Sequence, residues 1–123
     1  TVRKRILIVE DNQQVAEAIV LSLEQAGYTT CVCDDGTTAI EQLKSNTFHL
    51  VIIDLLLPFT SGMNVIKWSK TEFPTLPIIV LSSIIEENIV THTFLMGAFD
   101  YISKPFKPSD LLQSINKALQ QKN

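Results

Sequence analysis

Cysteine, positive charge and long apolar runs are all scarce in this sequence, and each scarcity excludes something. Cys31 and Cys33 are the only cysteines among 123 residues. They stand one residue apart in a stretch that reads as a strand, a spacing poorly suited to a disulfide, and two thiols alone do not complete a zinc site. The expectation is two reduced thiols in a cytoplasmic protein. Lysine and arginine number 10 against 13 aspartates and glutamates, for a net charge of −3. No basic field is available to hold nucleic acid, so direct nucleic acid binding is not expected. No apolar run approaches the roughly 18 residues that span a bilayer. Ile6 to Val9, after the basic opening Thr1-Val2-Arg3-Lys4-Arg5, is too short for a signal-peptide core, and no membrane role is expected. Repeats, low-complexity tracts and linker-like shifts are missing too. Residues 1–123 therefore read as one domain, either stand-alone or cut from a larger protein.

What is present reads as an ordinary globular chain, 46% hydrophobic and 19% charged, able to bury a core without staples. Apolar runs of strand length alternate with amphipathic stretches of helix length. The predicted strands are Arg5 to Val9, Thr29 to Cys33 (an edge strand), His49 to Ile53, Ile78 to Leu81 and Asp100 to Ser103. The first helix places Val15, Ala16, Ile19, Leu23 and Ala26 inward and stops at Gly27. The second covers Thr38 to Lys44, with Ala39, Ile40 and Leu43 inward. A loop with Pro58 and Gly62 opens the third, which Pro74 and Pro77 end. The fourth runs from Ile85 to Met96. The last buries Leu111, Leu112, Ile115, Ala118 and Leu119, with Ser109 as its cap. Strict alternation argues for an α/β protein with a parallel sheet covered on both faces, wound in right-handed crossovers.

Such sheets bind ligands at the carboxyl ends of their strands, and the polar interruptions fall there. Glu10 and Asp11 follow the first strand, Asp54 the third, Ser82 the fourth and Lys104 the fifth. Two carboxylates about 4 Å apart repel by roughly 4 kcal/mol at an effective dielectric near 20. A hard divalent cation such as Mg²⁺, which takes carboxylates, waters and phosphate oxygens, is the natural counterweight. Lys104 adds a mobile positive charge and Ser82 a hydroxyl donor. The set suits phosphoryl transfer with one carboxylate as nucleophile. Asp34 and Asp35 read as turn residues, and His49 and His92 as surface residues away from the site.

The runs Ile6-Leu7-Ile8-Val9-Glu10-Asp11-Asn12, Asp54-Leu55-Leu56-Leu57-Pro58 with Gly62, Ile79-Val80-Leu81-Ser82 and Gly97-Ala98-Phe99-Asp100-Tyr101-Ile102-Ser103-Lys104-Pro105-Phe106 resemble the receiver domain of two-component response regulators. The resemblance covers essentially the whole chain, in order. It implies a doubly wound (βα)5, flavodoxin-like sheet with strand order 2-1-3-4-5. It also implies that Asp54 takes a phosphoryl group from a phosphohistidine on a sensor histidine kinase or a histidine phosphotransfer protein. Asp11 would bind Mg²⁺ directly, Glu10 through water, and the backbone carbonyl of Leu56 would complete the protein ligands. Lys104 would pair with the phosphoryl group, and Pro105 would follow a cis bond. Ser82 would move toward the phosphoryl group and let Tyr101 rotate inward. That switch would reach the surface of the fourth helix, fifth strand and fifth helix, which would meet an output domain, an effector protein or a second copy of the chain. Such a domain is not a turnover enzyme; it catalyses only its own phosphorylation and slow dephosphorylation.

Some residues depart from the family pattern. Thr60 and Ser61 stand where a hydrophobic and an acidic residue are usual. Ser69 occupies a commonly apolar, inward place and Trp68 a commonly charged one, which suggests a slightly rotated third helix in preference to a Trp68 contact. Leu95 falls on the outer side of the fourth helix and suggests an output or dimer contact. Leu56 and Ile84, two places after Asp54 and Ser82, are apolar and unable to orient a hydrolytic water, so slow loss of the phosphoryl group is expected. Three other functions compete. A haloacid-dehalogenase-type phosphohydrolase needs an aspartate at position 56. A degenerate receiver, acting only as an interaction module, would have lost some of the five key residues. A flavin carrier needs a hydroxyl-rich loop after the first strand.

Overall fold

The apolar runs become strands because each can bury both faces at once. The computed structural model of the chain describes residues 3–120; Thr1 and Val2 of the basic opening, and residues 121–123 at the other end, lie outside that range. Strands Arg5–Val9 (β1), Thr29–Cys33 (β2), Leu50–Ile53 (β3), Ile78–Ser82 (β4) and Asp100–Ser103 (β5) alternate with helices Gln13–Gln25 (α1), Gly36–Ser45 (α2), Gly62–Glu72 (α3), Glu87–Leu95 (α4) and Pro108–Gln120 (α5). The sheet order is β2-β1-β3-β4-β5, and every neighbouring pair is parallel. This is the doubly wound (βα)5 arrangement that the alternation and the resemblance implied.

Successive strand residues point to opposite faces. Leu7, Val9, Val51, Ile53, Ile78 and Val80 therefore pack in one core layer with Ala39, Leu43, Val65 and Ile66 of α2 and α3. Ile6, Ile8, Leu50, Ile52, Ile79 and Leu81 pack in the other with Ile19, Leu23, Leu111 and Ile115 of α1 and α5. All residues of β3 and β4 are buried, whereas β2 and β5 at the sheet edges are mostly half-exposed. No helix among the described residues is long and apolar enough to cross a membrane. Both cysteines are free. Burial, followed by the neighbouring Cys31 thiol and the Asp35 and Asp34 carboxylates, pushes the Cys33 thiol up to about 12, so it stays protonated and unreactive.

Local chemistry shifts several expected boundaries. Helix α2 starts at Gly36, earlier than Thr38, because the Asp35 carboxylate accepts the Thr38 backbone N–H at 2.7 Å. Asp35 is thus a helix cap and more than a turn residue. Helix α5 starts on Pro108, whose missing N–H costs nothing in the first turn, so Ser109 lies inside the helix and does not cap it. Ala26 is exposed at the end of α1, not inward. Helix α4 is shorter at both ends than the stretch from Ile85 to Met96. His49 precedes β3 and is half-buried. Its Nδ1 accepts the Arg5 backbone N–H at 2.9 Å, which satisfies the start of β1 and removes it from the surface set.

The third helix is not rotated. Val65, Ile66 and Ser69 form its buried face, and Trp68 makes the contact instead. Its ring meets Phe73 edge-on at 5.9 Å and lies under the Lys44 ammonium. Ser69 is fully buried, and its hydroxyl has no hydrogen-bond partner among the described residues.

Candidate functional site

Each polar residue of the site is fixed by backbone pairing that runs one step past the strands. Glu10 N donates to Cys33 O, Asp54 N to Val9 O, and Lys104 N to Ser82 O, all near 3.0 Å. The three side chains are therefore held at the carboxyl edge of the sheet, where β1 and β3 adjoin. Asn12 caps α1 by accepting the Val15 N–H, and its own N–H donates to Glu10 Oε2 at 3.1 Å. The start of the first helix thus orients Glu10. Ser61 caps α3 by accepting the Asn64 N–H, and the hydroxyls of Thr60 and Thr37 share a hydrogen bond of 3.1 Å. The two unusual loop residues consequently anchor the segment after Asp54.

Lys104 Nζ lies 2.7 Å from both Glu10 Oε1 and Asp54 Oδ2. Glu10 and Asp54 are only 3% and 5% exposed, so this pairing is largely shielded from water. Asp11 is exposed, and one oxygen each of Glu10, Asp11 and Asp54 lie within 4.8 Å of one another. One ammonium against three carboxylates leaves an excess of negative charge. Burial disfavours the Lys104 ammonium, but its hydrogen bonds to Asp54 and Glu10, and their charges, outweigh burial and raise it above the ordinary lysine value. It remains a cation at any working pH.

The other Asp54 oxygen, Oδ1, accepts the Leu56 N–H at 3.2 Å. Ser82 ends β4 fully buried, with its hydroxyl accepting the Ile84 N–H at 3.3 Å. Tyr101 is half-buried on β5, and its hydroxyl donates to the Ile84 carbonyl at 2.6 Å. The ring is therefore already turned against the β4–α4 loop. The peptide bond between Lys104 and Pro105 is cis, as the resemblance implied.

The family model described as the response regulator receiver domain matches residues 6–116. The chain belongs to that family. Among its receiver-containing relatives is the DNA-binding response regulator MtrA of Mycobacterium bovis, 34% identical over 119 residues, which are 97% of this chain and 52% of that protein. The transcriptional regulatory protein DltR of Streptococcus agalactiae is 35% identical over 90% of this chain and 50% of that protein. The chain thus spans about half the length of these relatives. The crystal structure of a putative response regulator from Chloroflexus aurantiacus superposes with a TM-score of 0.93 at 32% identity, covering 98% of this chain and all of that one. The receiver domain of a histidine kinase from Syntrophus aciditrophicus gives 0.88 at 30% identity, covering 98% and 95%.

Within this receiver domain, the residues singled out in sequence divide into two groups. Glu10, Asp11, Asp54 and Lys104 come together as one charged cluster, while Ser82 and Tyr101 meet at the Ile84 backbone. His92 is exposed on α4, away from both groups, and Leu95 is 79% exposed. One residue escaped sequence reasoning altogether. Phe59, in the loop after Asp54, is the single non-glycine residue with positive φ among the described residues, at 66°. An aromatic side chain between Pro58 and the polar pair Thr60 and Ser61 was its one available signal.

Proposed function

We propose that Asp54 accepts a phosphoryl group from a phosphohistidine on a sensor histidine kinase or histidine phosphotransfer protein, in a Mg²⁺-dependent reaction. The observation that carries this reading is the Lys104 ammonium, 2.7 Å from Asp54 and Glu10, inside a cluster that remains negative overall. The donor set is all hard oxygen, which fits Mg²⁺. Asp11, Asp54 and the Leu56 carbonyl would hold the ion directly, with Glu10 acting through water. Such an ion would neutralise charge on the phosphoryl oxygens.

In the transfer, an Asp54 carboxylate oxygen forms a bond to phosphorus as the bond from phosphorus to the imidazole nitrogen breaks. The electron pair stays on that nitrogen. Lys104, already 2.7 Å from Asp54, is placed to pair with a phosphoryl oxygen there. The Ser82 hydroxyl turns from the Ile84 N–H to donate to a phosphoryl oxygen, which changes the β4–α4 loop that Tyr101 grips. The loop leads into α4, so the change reaches the α4–β5–α5 surface and an output domain or effector. Mixing the protein with Mg²⁺ and acetyl phosphate, then reading the intact mass, tests the acceptor role.

Leu95 on that surface supports self-association through α4–β5–α5. Leu95→Asp is expected to lower dimer content of the phosphorylated protein in sedimentation; unchanged association would remove Leu95 from the interface. The phosphoryl group is expected to be long-lived. Leu56 is 58% exposed, yet neither it nor Ile84 carries a group that orients water. The double variant Leu56→Asn, Ile84→Glu should lose its phosphoryl group about tenfold faster or more, followed as decay of the phosphorylated mass. Equal decay in both proteins would contradict this.

A further inference from the structure

Two unfavourable features coincide at Phe59. Its backbone sits in the left-handed region, at φ 66°, which strains a bulky residue. Its side chain is 89% exposed, so no burial offsets that strain. Leu56, earlier in the same loop, is 58% exposed, and Ile85 in the β4–α4 loop is 76% exposed. Both loops leave the carboxyl edge of the sheet from the adjacent strands β3 and β4. Three large apolar side chains therefore stand in solvent on the loops that follow Asp54 and Ser82.

Asp54 itself is only 5% exposed. A phosphorylated histidine must descend to it, and the protein that carries the histidine must press on the surrounding loops. Aromatic anchors dominate contact energies, and Phe59 stands exposed in the loop that directly follows Asp54. We infer that Phe59 is the anchor by which the phosphohistidine-bearing donor protein is recognised. The inference rests on the acceptor role proposed for Asp54. The matching donor surface is apolar toward Phe59. Phe59 carries no group that bonds to the phosphoryl oxygens or moves a proton, so its part is docking alone.

Phe59→Gly separates docking from chemistry, because glycine adopts this backbone without strain and the fold is retained. Wild type and variant are labelled in Mg²⁺ by acetyl phosphate, and by a histidine kinase selected from the source organism for labelling the wild type. Acetyl phosphate labelling is expected to be unchanged. Transfer from the kinase should fall about tenfold or more, and Phe59→Leu should recover most of it. Equal loss with both donors, or no loss with the kinase, overturns the inference. So does a full set of kinases that leaves the wild type unlabelled while acetyl phosphate labels it. Reduced self-association at unchanged kinase transfer assigns the patch to a second copy of the chain and likewise overturns it. Failure of acetyl phosphate to label the wild type strikes the acceptor role instead.

Discussion

Asp54→Ala is expected to abolish labelling by acetyl phosphate, while the wild type gains the mass of one phosphoryl group. The loss should be complete because the other candidates are unsuited as nucleophiles. Glu10 is 3% exposed and committed to Lys104 and the Asn12 N–H, and Asp11 is exposed and lacks the lysine contact that would steady a phosphoryl oxygen. The variant should also remain folded. Removing one partner of a buried ion pair is damaging when it strands the other charge, but Lys104 keeps Glu10 at 2.7 Å. A melting curve close to wild type, together with absent labelling, would therefore report chemistry. Chelating the Mg²⁺ should suppress wild-type labelling in the same way. A variant that still gains the phosphoryl mass would displace Asp54 as acceptor.

Gly62→Ala is expected to destabilise the protein by about 3 kcal/mol or more, measured by denaturant unfolding. A Cβ at Gly62 would lie 2.1 Å from the Asp54 carbonyl oxygen and 2.7 Å from Leu55 Cα. Both obstacles are backbone and cannot swing aside. The Gly62 N–H also donates to Leu55 O at 3.1 Å, so α3 begins pressed directly onto the end of β3. The methyl group must separate them and move the segment that carries Asp54. Gly27→Ala is the control. Its φ of 95° strains alanine, but nothing lies within 4 Å of the new Cβ, so its cost should be about 1 kcal/mol. Equal costs at the two glycines would show that close approach is not what position 62 requires.

Legibility in the sequence followed the range of the interactions. The strands were readable because sheets buried on both faces demand continuous apolar runs, and Ile6 to Val9 or Ile78 to Leu81 satisfy nothing else. The charged cluster was readable because strand ends in a parallel sheet share one edge, so Glu10, Asp54 and Lys104 needed only their place after a strand. Helix boundaries were less readable. Asp35 and Ser109 are both good capping residues, and only the backbone geometry shows that Asp35 caps while Pro108 opens its helix without Ser109. The surroundings of Trp68 were misread for a related reason. Its partners, Phe73 and Lys44, come from the end of α3 and from α2, and a single helical pattern carries no information about its neighbour.

By itself the sequence determined the fold class, the parallel order implied by its family likeness, and which residues line the reactive edge. Local pattern and strand polarity suffice for these. Only the tertiary structure decided that Lys104 bridges Glu10 and Asp54, that Tyr101 already grips the Ile84 carbonyl, and that Phe59 stands strained and exposed in the loop after Asp54. Those facts depend on side-chain direction and on backbone from distant segments, and they arise when the five strand ends are brought to one edge.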